Sequence, residues 1–86
     1  MTYDAEFSNR AETDLSGLDP PVEQRVRRRI CEMAASAQTW PHQALTGQYR
    51  GLFRLRVGNY RVRYDLDHTN RRIIILRVQH RSEAYR

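Results

Sequence analysis

From Leu52 to Leu66 apolar and charged residues alternate with a period of two, and the alternation is interrupted once, at Gly58-Asn59. Phe53, Leu55 and Val57 alternate with Arg54 and Arg56, and Tyr60, Val62, Tyr64 and Leu66 alternate with Arg61, Arg63 and Asp65. A period of two is the signature of a half-buried strand. Glycine at the first central position is what a two-residue type II′ turn requires. The segment therefore reads as a hairpin in which Val57 faces Tyr60, Arg56 faces Arg61, Leu55 faces Val62 and Arg54 faces Arg63. One face is apolar and meets the rest of the chain; the other carries two directly opposed arginine pairs.

The flanking segments complete an α+β reading. Tyr3 to Phe7 alternates weakly and is predicted as a short strand. Asn9 and Glu12 have capping-box spacing, and Ala11, Leu15 and Leu18 recur at helical intervals, which predicts a first helix over about Asn9 to Leu18. Asp19-Pro20-Pro21 ends it and starts a second, because aspartate suits an N-cap and proline is tolerated in a first turn. Val22, Val26, Ile30, Met33 and Ala37 then form one stripe to about Ala37. The opposite side of that helix carries Arg25, Arg27, Arg28 and Arg29, either a solvated face or an RNA or partner surface. Gln38 to Gly51 is expected to be irregular, with Trp40 as a core plug. A polar turn, Asp67 to Asn70, leads to a third sheet strand, about Arg71 to Gln79, whose Ile73-Ile74-Ile75-Leu76 run lacks alternation and places it in mid-sheet. The expected architecture is an N-terminal strand, a two-helix hairpin and an antiparallel meander forming a small twisted sheet packed on the helices. With 86 residues, 40% of them hydrophobic, residues 1–86 are expected to form one domain around one small core.

Charge sharpens the picture. All 15 basic residues are arginine. Residues 1–46 carry five arginines against seven acids, net −2, whereas residues 47–86 carry ten against three, net +7. A basic surface built by the second half suits a polyanion. Opposed like charges destabilise a bare hairpin, and bound phosphate would neutralise them, since guanidinium groups bind phosphate oxygens bidentately. Arginine stays protonated, so proton transfer needs another group. His80, Glu83 and Tyr85 lie near the sheet's end, and His80 has the ordinary pKa best suited to neutral pH. His42 and His68 fall in predicted loops and have less in their favour. Cys31, the only cysteine, lies on a helix and cannot form an internal disulfide. No metal-ligand cluster, glycine-rich phosphate loop or Ser-His-Asp set is visible, so neither metal nor cofactor is expected. No signal-like leader or bilayer-length apolar run is present, and a cytoplasmic location without membrane contact is expected.

The stretch from Leu45 to Tyr64, with Leu45-Thr-Gly-Gln-Tyr-Arg-Gly followed by Arg56-Val-Gly-Asn-Tyr-Arg-Val-Arg-Tyr64, and the ending His80-Arg-Ser-Glu-Ala-Tyr-Arg86 resemble the RelE group of the RelE/ParE toxin superfamily. The resemblance covers most of the chain. It implies a bacterial type II toxin that enters the ribosomal A site and cuts mRNA by attack of a ribose 2′-OH on the adjacent phosphate, without metal. It also implies a cognate antitoxin protein as partner, with operator DNA reached only through the antitoxin complex. Residue by residue, Arg61 matches the arginine that stabilises transition-state charge, and Arg54 and Arg56 match a strand of cationic site residues. Arg81 and Tyr85 match the C-terminal motif, in which the tyrosine stacks on or orients a base. His80 matches a position where several relatives carry histidine, and becomes the expected general acid or base. The expected catalytic set is thus Arg54, Arg61, His80, Arg81 and Tyr85, and the expected phosphate-binding set is Arg50, Arg54, Arg56, Arg61 and Arg63. The sequence departs from relatives that use lysine or glutamate as base, since position 52 is Leu and its charged neighbours are arginine. The alternative within the same superfamily is a non-enzymatic, ParE-like inhibitor of DNA gyrase.

Overall fold

The computed structural model describes residues 2–84. In chain order the elements are β1 (Asp4–Phe7), α1 (Asn9–Ser16), α2 (Pro20–Ala35), β2 (Gln43–Ala44), a 3-10 turn (Gly47–Tyr49), β3 (Phe53–Val57), β4 (Tyr60–Asp67) and β5 (Arg72–His80). The five strands form one sheet in the order β1-β5-β4-β3-β2. Strands β3, β4 and β5 are the expected antiparallel meander, and β1 adds to β5 in parallel, so the sheet is mixed.

Both helices pack on one face of the sheet. Leu15 from α1 and Val26, Ile30 and Met33 from α2 meet Leu55, Val62, Tyr64, Ile73 and Ile75 in one core cluster. Each aliphatic side chain among them contributes ~1.5–3 kcal/mol by leaving water. The hairpin register is the expected one, with Arg54 opposite Arg63, Leu55 opposite Val62 and Arg56 opposite Arg61. At the turn Gly58 has φ +56°, while Asn59 stays outside the left-handed region, the pattern of a type II′ turn.

Four expectations need correction. Ser8, not Asn9, caps α1: its Oγ accepts from the Ala11 amide at 3.0 Å. The helices stop at Ser16 and Ala35, short of Leu18 and Ala37, although Leu18 still packs on the core and Ala37 is buried. The stretch between α2 and β3 holds the short strand β2 and a 3-10 turn, and Trp40 packs against the core while staying partly exposed. Finally, β5 is an interior strand, but its broken alternation has a local cause besides burial on two faces. Tyr64 pairs with Ile75 and Arg63 with Arg77, which leaves Leu76 as the extra residue of a bulge. Ile73, Ile75 and Val78 can therefore all be buried although their spacing is not a multiple of two.

Strand β1 ends opposite Ile75, and α1 covers the exposed edge of β5 beyond it. The Ser8 hydroxyl donates to the Leu76 carbonyl at 2.9 Å, and the Asp14 carboxylate accepts from the Val78 amide at 2.9 Å.

Candidate nucleic-acid interface

The face of the sheet away from the helices is built by the second residue of each alternation. Arg54 stands opposite Arg63, Arg56 opposite Arg61, Arg63 also opposite Arg77, and Arg61 also opposite Gln79. Among the described residues, Arg54, Arg56 and Arg63 form no ion pair. Arg54 Nε donates to the Gln43 side-chain oxygen at 3.0 Å, and the Arg63 guanidinium lies over the Tyr49 ring, 4.3 Å from its centroid. A guanidinium on an aromatic face keeps its edge donors available for phosphate oxygens. Arg50, next to Tyr49, is exposed.

The hairpin end gathers the remaining candidates. Arg61 Nη1 donates to the carbonyls of Gly58 (3.0 Å) and Tyr60 (2.9 Å), so the side chain folds toward the turn. The Arg81 amide donates to the Asn59 carbonyl at 2.7 Å and ties the segment after β5 to the same turn. A Cβ on Gly58 would stand 2.6 Å from Arg25 Nη2, so an arginine of α2 also abuts this end. His80 pairs with Tyr60, one step out of phase with Arg61, so its ring leaves the sheet on the helix side and packs edge-on against the Tyr60 ring. The Ser82 amide donates to His80 Nδ1 at 3.2 Å. That bond makes Nδ1 an acceptor and puts the neutral imidazole's proton on Nε2.

The structure thus brings Arg54, Arg56, Arg61 and Arg63 together, sets Arg81 and His80 at one end of that array, and separates His80 from the arginine face by the thickness of the sheet. His80 instead lines a cleft of about 380 Å³ with Asp14, Tyr60, Arg77, Gln79 and Glu83. Tyr85 lies outside the described residues. Among those residues no three His, Cys, Asp or Glu side chains converge as a metal site would need, and no helix is long and apolar enough to cross a membrane.

Two further residues belong to this surface, and sequence reasoning missed their roles. Tyr49 supports Arg63, a contact between a 3-10 turn and a strand that no periodicity reveals. Arg77 is bound by Asp14, whose carboxylate accepts from Nε at 2.9 Å and from Nη2 at 3.3 Å and raises the guanidinium's pKa. The bulge hid this partner, because it changes which residues of β5 share a face. The other histidines are structural. His42 Nε2 donates to the Ala37 carbonyl at 2.7 Å, so its Nδ1 accepts from the buried Tyr64 hydroxyl at 2.6 Å, and burial pushes the Tyr64 pKa up. His68 Nδ1 is hydrogen-bonded to the Tyr3 hydroxyl at 2.7 Å.

The ParE toxin family of type II toxin-antitoxin systems matches residues 5–85. The chain belongs to the RelE/ParE superfamily of type II toxins. It is 31% identical over 90 residues to Toxin RelG of Mycobacterium tuberculosis, covering 100% of this chain and 99% of that protein. The superfamily fold is equally plain in solved structures. A chain of the RelBE2 toxin-antitoxin complex of M. tuberculosis superposes with a TM-score of 0.85 at 27% identity, covering 96% of this chain and 95% of that one. The isolated RelE toxin of E. coli superposes with a TM-score of 0.76 at 18% identity, over 98% and 92% of the two chains. RelE/ParE members share this fold between branches, so the branch has to be argued from the site.

Proposed function

We propose that this toxin is a ribosome-dependent endoribonuclease that cuts mRNA in the A site. The observation that carries the reading is the arginine face: Arg54, Arg56, Arg61 and Arg63 stand in two opposed pairs on one side of a hairpin. Arg54, Arg56 and Arg63 have no carboxylate beside them among the described residues. Such an array is complementary to a phosphodiester chain and supplies donors for charge building on a pentacoordinate phosphorus. In this reading the ribose 2′-oxygen attacks the adjacent phosphorus, the bond to the 5′-oxygen breaks, and the products are a 2′,3′-cyclic phosphate and a 5′-hydroxyl. Arg61 neutralises the non-bridging oxygens, and Arg50, Arg54, Arg56 and Arg63 hold the flanking phosphates.

The proton balance requires one proton removed from the 2′-hydroxyl and one delivered to the 5′-oxygen. His80 is the side chain assigned to this exchange, through Nε2, the nitrogen left available by the Ser82 amide. Because His80 leaves the sheet opposite the arginine face, the scissile phosphate in this reading lies where β4 begins and β5 ends, with the RNA bending over the Tyr60–His80 rim. Arg81 and Tyr85 complete the site from the C-terminal side, Arg81 on phosphate and Tyr85 on the base.

A protein antitoxin is the expected partner. Several solved relatives are toxin-antitoxin complexes, among them those of M. tuberculosis and Pyrococcus horikoshii. An acidic or amphipathic segment suits the net +7 half of this chain, and operator DNA would be reached through that complex. The family match to ParE toxins supports a second reading, non-enzymatic inhibition of DNA gyrase. Primer extension on mRNA held on translating ribosomes, beside the same naked mRNA, separates the two. Cuts confined to the A-site codon on ribosomes are expected. Intact mRNA in both samples, with loss of supercoiling in a gyrase assay, would replace the nuclease reading with the second.

A further inference from the structure

Strand β2 covers only the Phe53-Arg54 end of β3, because its two residues pair with Arg54 and Phe53. Beyond Arg54 the outer edge of β3 borders a cleft of about 180 Å³, closed on its far side by α2 and the segment after it. Arg29, Trp40, Gln43, Arg54 and Arg56 line it. The Arg29 guanidinium lies over the Trp40 ring, 5.0 Å from its centroid, and Nη1 holds the Glu32 carboxylate at 2.6 Å. Arg29 is thereby held over the indole while 40% of its side chain stays exposed. Arg54 is fixed in turn by Gln43.

We infer that this cleft is a second RNA subsite, which takes one nucleotide of a strand leaving the arginine face across the β3 edge. The nucleobase stacks on the Arg29–Trp40 layers, and its phosphate is held by Arg54 and Arg56. Three features of the cleft support this assignment. A guanidinium plane backed by an indole is a stacking platform for any base. Arg54 and Arg56 belong both to the cleft and to the sheet face, so a bound backbone passes between them without losing contact with cation. The Glu32 carboxylate occupies one edge of Arg29 and leaves its face for a base rather than its donors for an acidic side chain. The inference extends the RNA-binding reading above, and its test is independent of cleavage.

Trp40 is the only tryptophan of the chain, so emission excited selectively from tryptophan reports this cleft alone. Titration with a single-stranded uridylate hexamer, followed by Trp40 emission and by the anisotropy of a labelled hexamer, is expected to quench Trp40 in step with binding. Arg29→Ala is expected to weaken binding on the order of tenfold and to remove most of the quench, as loss of one stacking layer implies, with unchanged far-ultraviolet circular dichroism. Three results would overturn the subsite: binding seen by anisotropy with steady Trp40 emission, undiminished affinity of Arg29→Ala, or no binding at all. Quenching by polyglutamate but not by RNA would also overturn it and reassign the cleft to a protein partner. A quench that behaves as expected, together with intact ribosomal mRNA, would instead remove the nuclease reading and leave the cleft as an RNA site.

Discussion

Two sets of arginines in this chain share a side chain and differ in company. On the helices and along β5, Arg27 is held by Glu12 and Glu23, Arg72 by Glu6 and Asp67, and Arg77 by Asp14. On β3 and β4, Arg54 faces Arg63 and Arg56 faces Arg61, and Arg54, Arg56 and Arg63 make no ion pair with a described residue. The first set ties elements distant in sequence together: Arg77–Asp14 joins β5 to α1, and Arg27–Glu12 joins α2 to α1. The second set stands in like-charge pairs across the hairpin, a repulsion that a bound anion would relieve. The arginines that bridge separate elements therefore belong to the stability of the fold, and the opposed ones to its function at some expense of stability.

Substitutions that exchange the two behaviours would break this comparison. The largest effect is expected at Arg61: Arg61→Ala should lower cleavage on ribosomes on the order of a hundredfold or more, as for loss of one donor to transition-state charge, with an unchanged melting curve. Full toxicity of that variant on expression in cells would remove Arg61 from the site. Among the paired set, Asp14→Ala should destabilise the chain by ~1–3 kcal/mol in urea unfolding, because it strands both Arg77 and the Val78 amide in a half-buried place. A stability loss at Asp14 as small as that of an exposed ion pair would erase the distinction.

How far this division can be read from the sequence depends on what creates it. The opposed set is legible, since strand alternation and a glycine in the turn fix the pairs Arg54–Arg63 and Arg56–Arg61, and the structure has that register. The paired set is not legible, because Asp14 and Arg77 are 63 positions apart and a bulge at Leu76 decides where Arg77 emerges. The same bulge, with the register of Tyr60, explains why a motif that reads as one cluster, Arg61 with His80, is split across a sheet. Sequence proximity to the strand's end was visible in His80; the side of the sheet was not.

Smaller effects sharpen the comparison. Arg56→Gln should raise stability by ~0.2–1 kcal/mol, since it removes one half of an opposed pair, while reducing the salt dependence of RNA binding by about one phosphate contact. A fall in stability would show that the opposed arginines are already compensated within the chain. The smallest effect is at Asp67, whose carboxyl is held down to about 2 by Asn70 hydrogen bonds and by Arg72. With the folded pKa below the model-peptide value of 3.8, Asp67 contributes stability above that value and loses the contribution as pH falls through about 2. An NMR titration of its carboxyl carbon should place the midpoint near the lower figure, and an ordinary midpoint would mean that the turn is not closed in solution.

Removing one residue from the middle of a strand ordinarily turns every later side chain to the opposite face. The bulge in β5 reverses that rule for Leu76. Tyr64–Ile75 and Arg63–Arg77 are already consecutive pairs with Leu76 left over, so a chain lacking Leu76 would run as a regular ladder with Arg77, Val78, Gln79 and His80 facing as they do now. The middle of an interior strand is thus a place where the length of the protein can change by one residue while the sidedness of its last strand is kept.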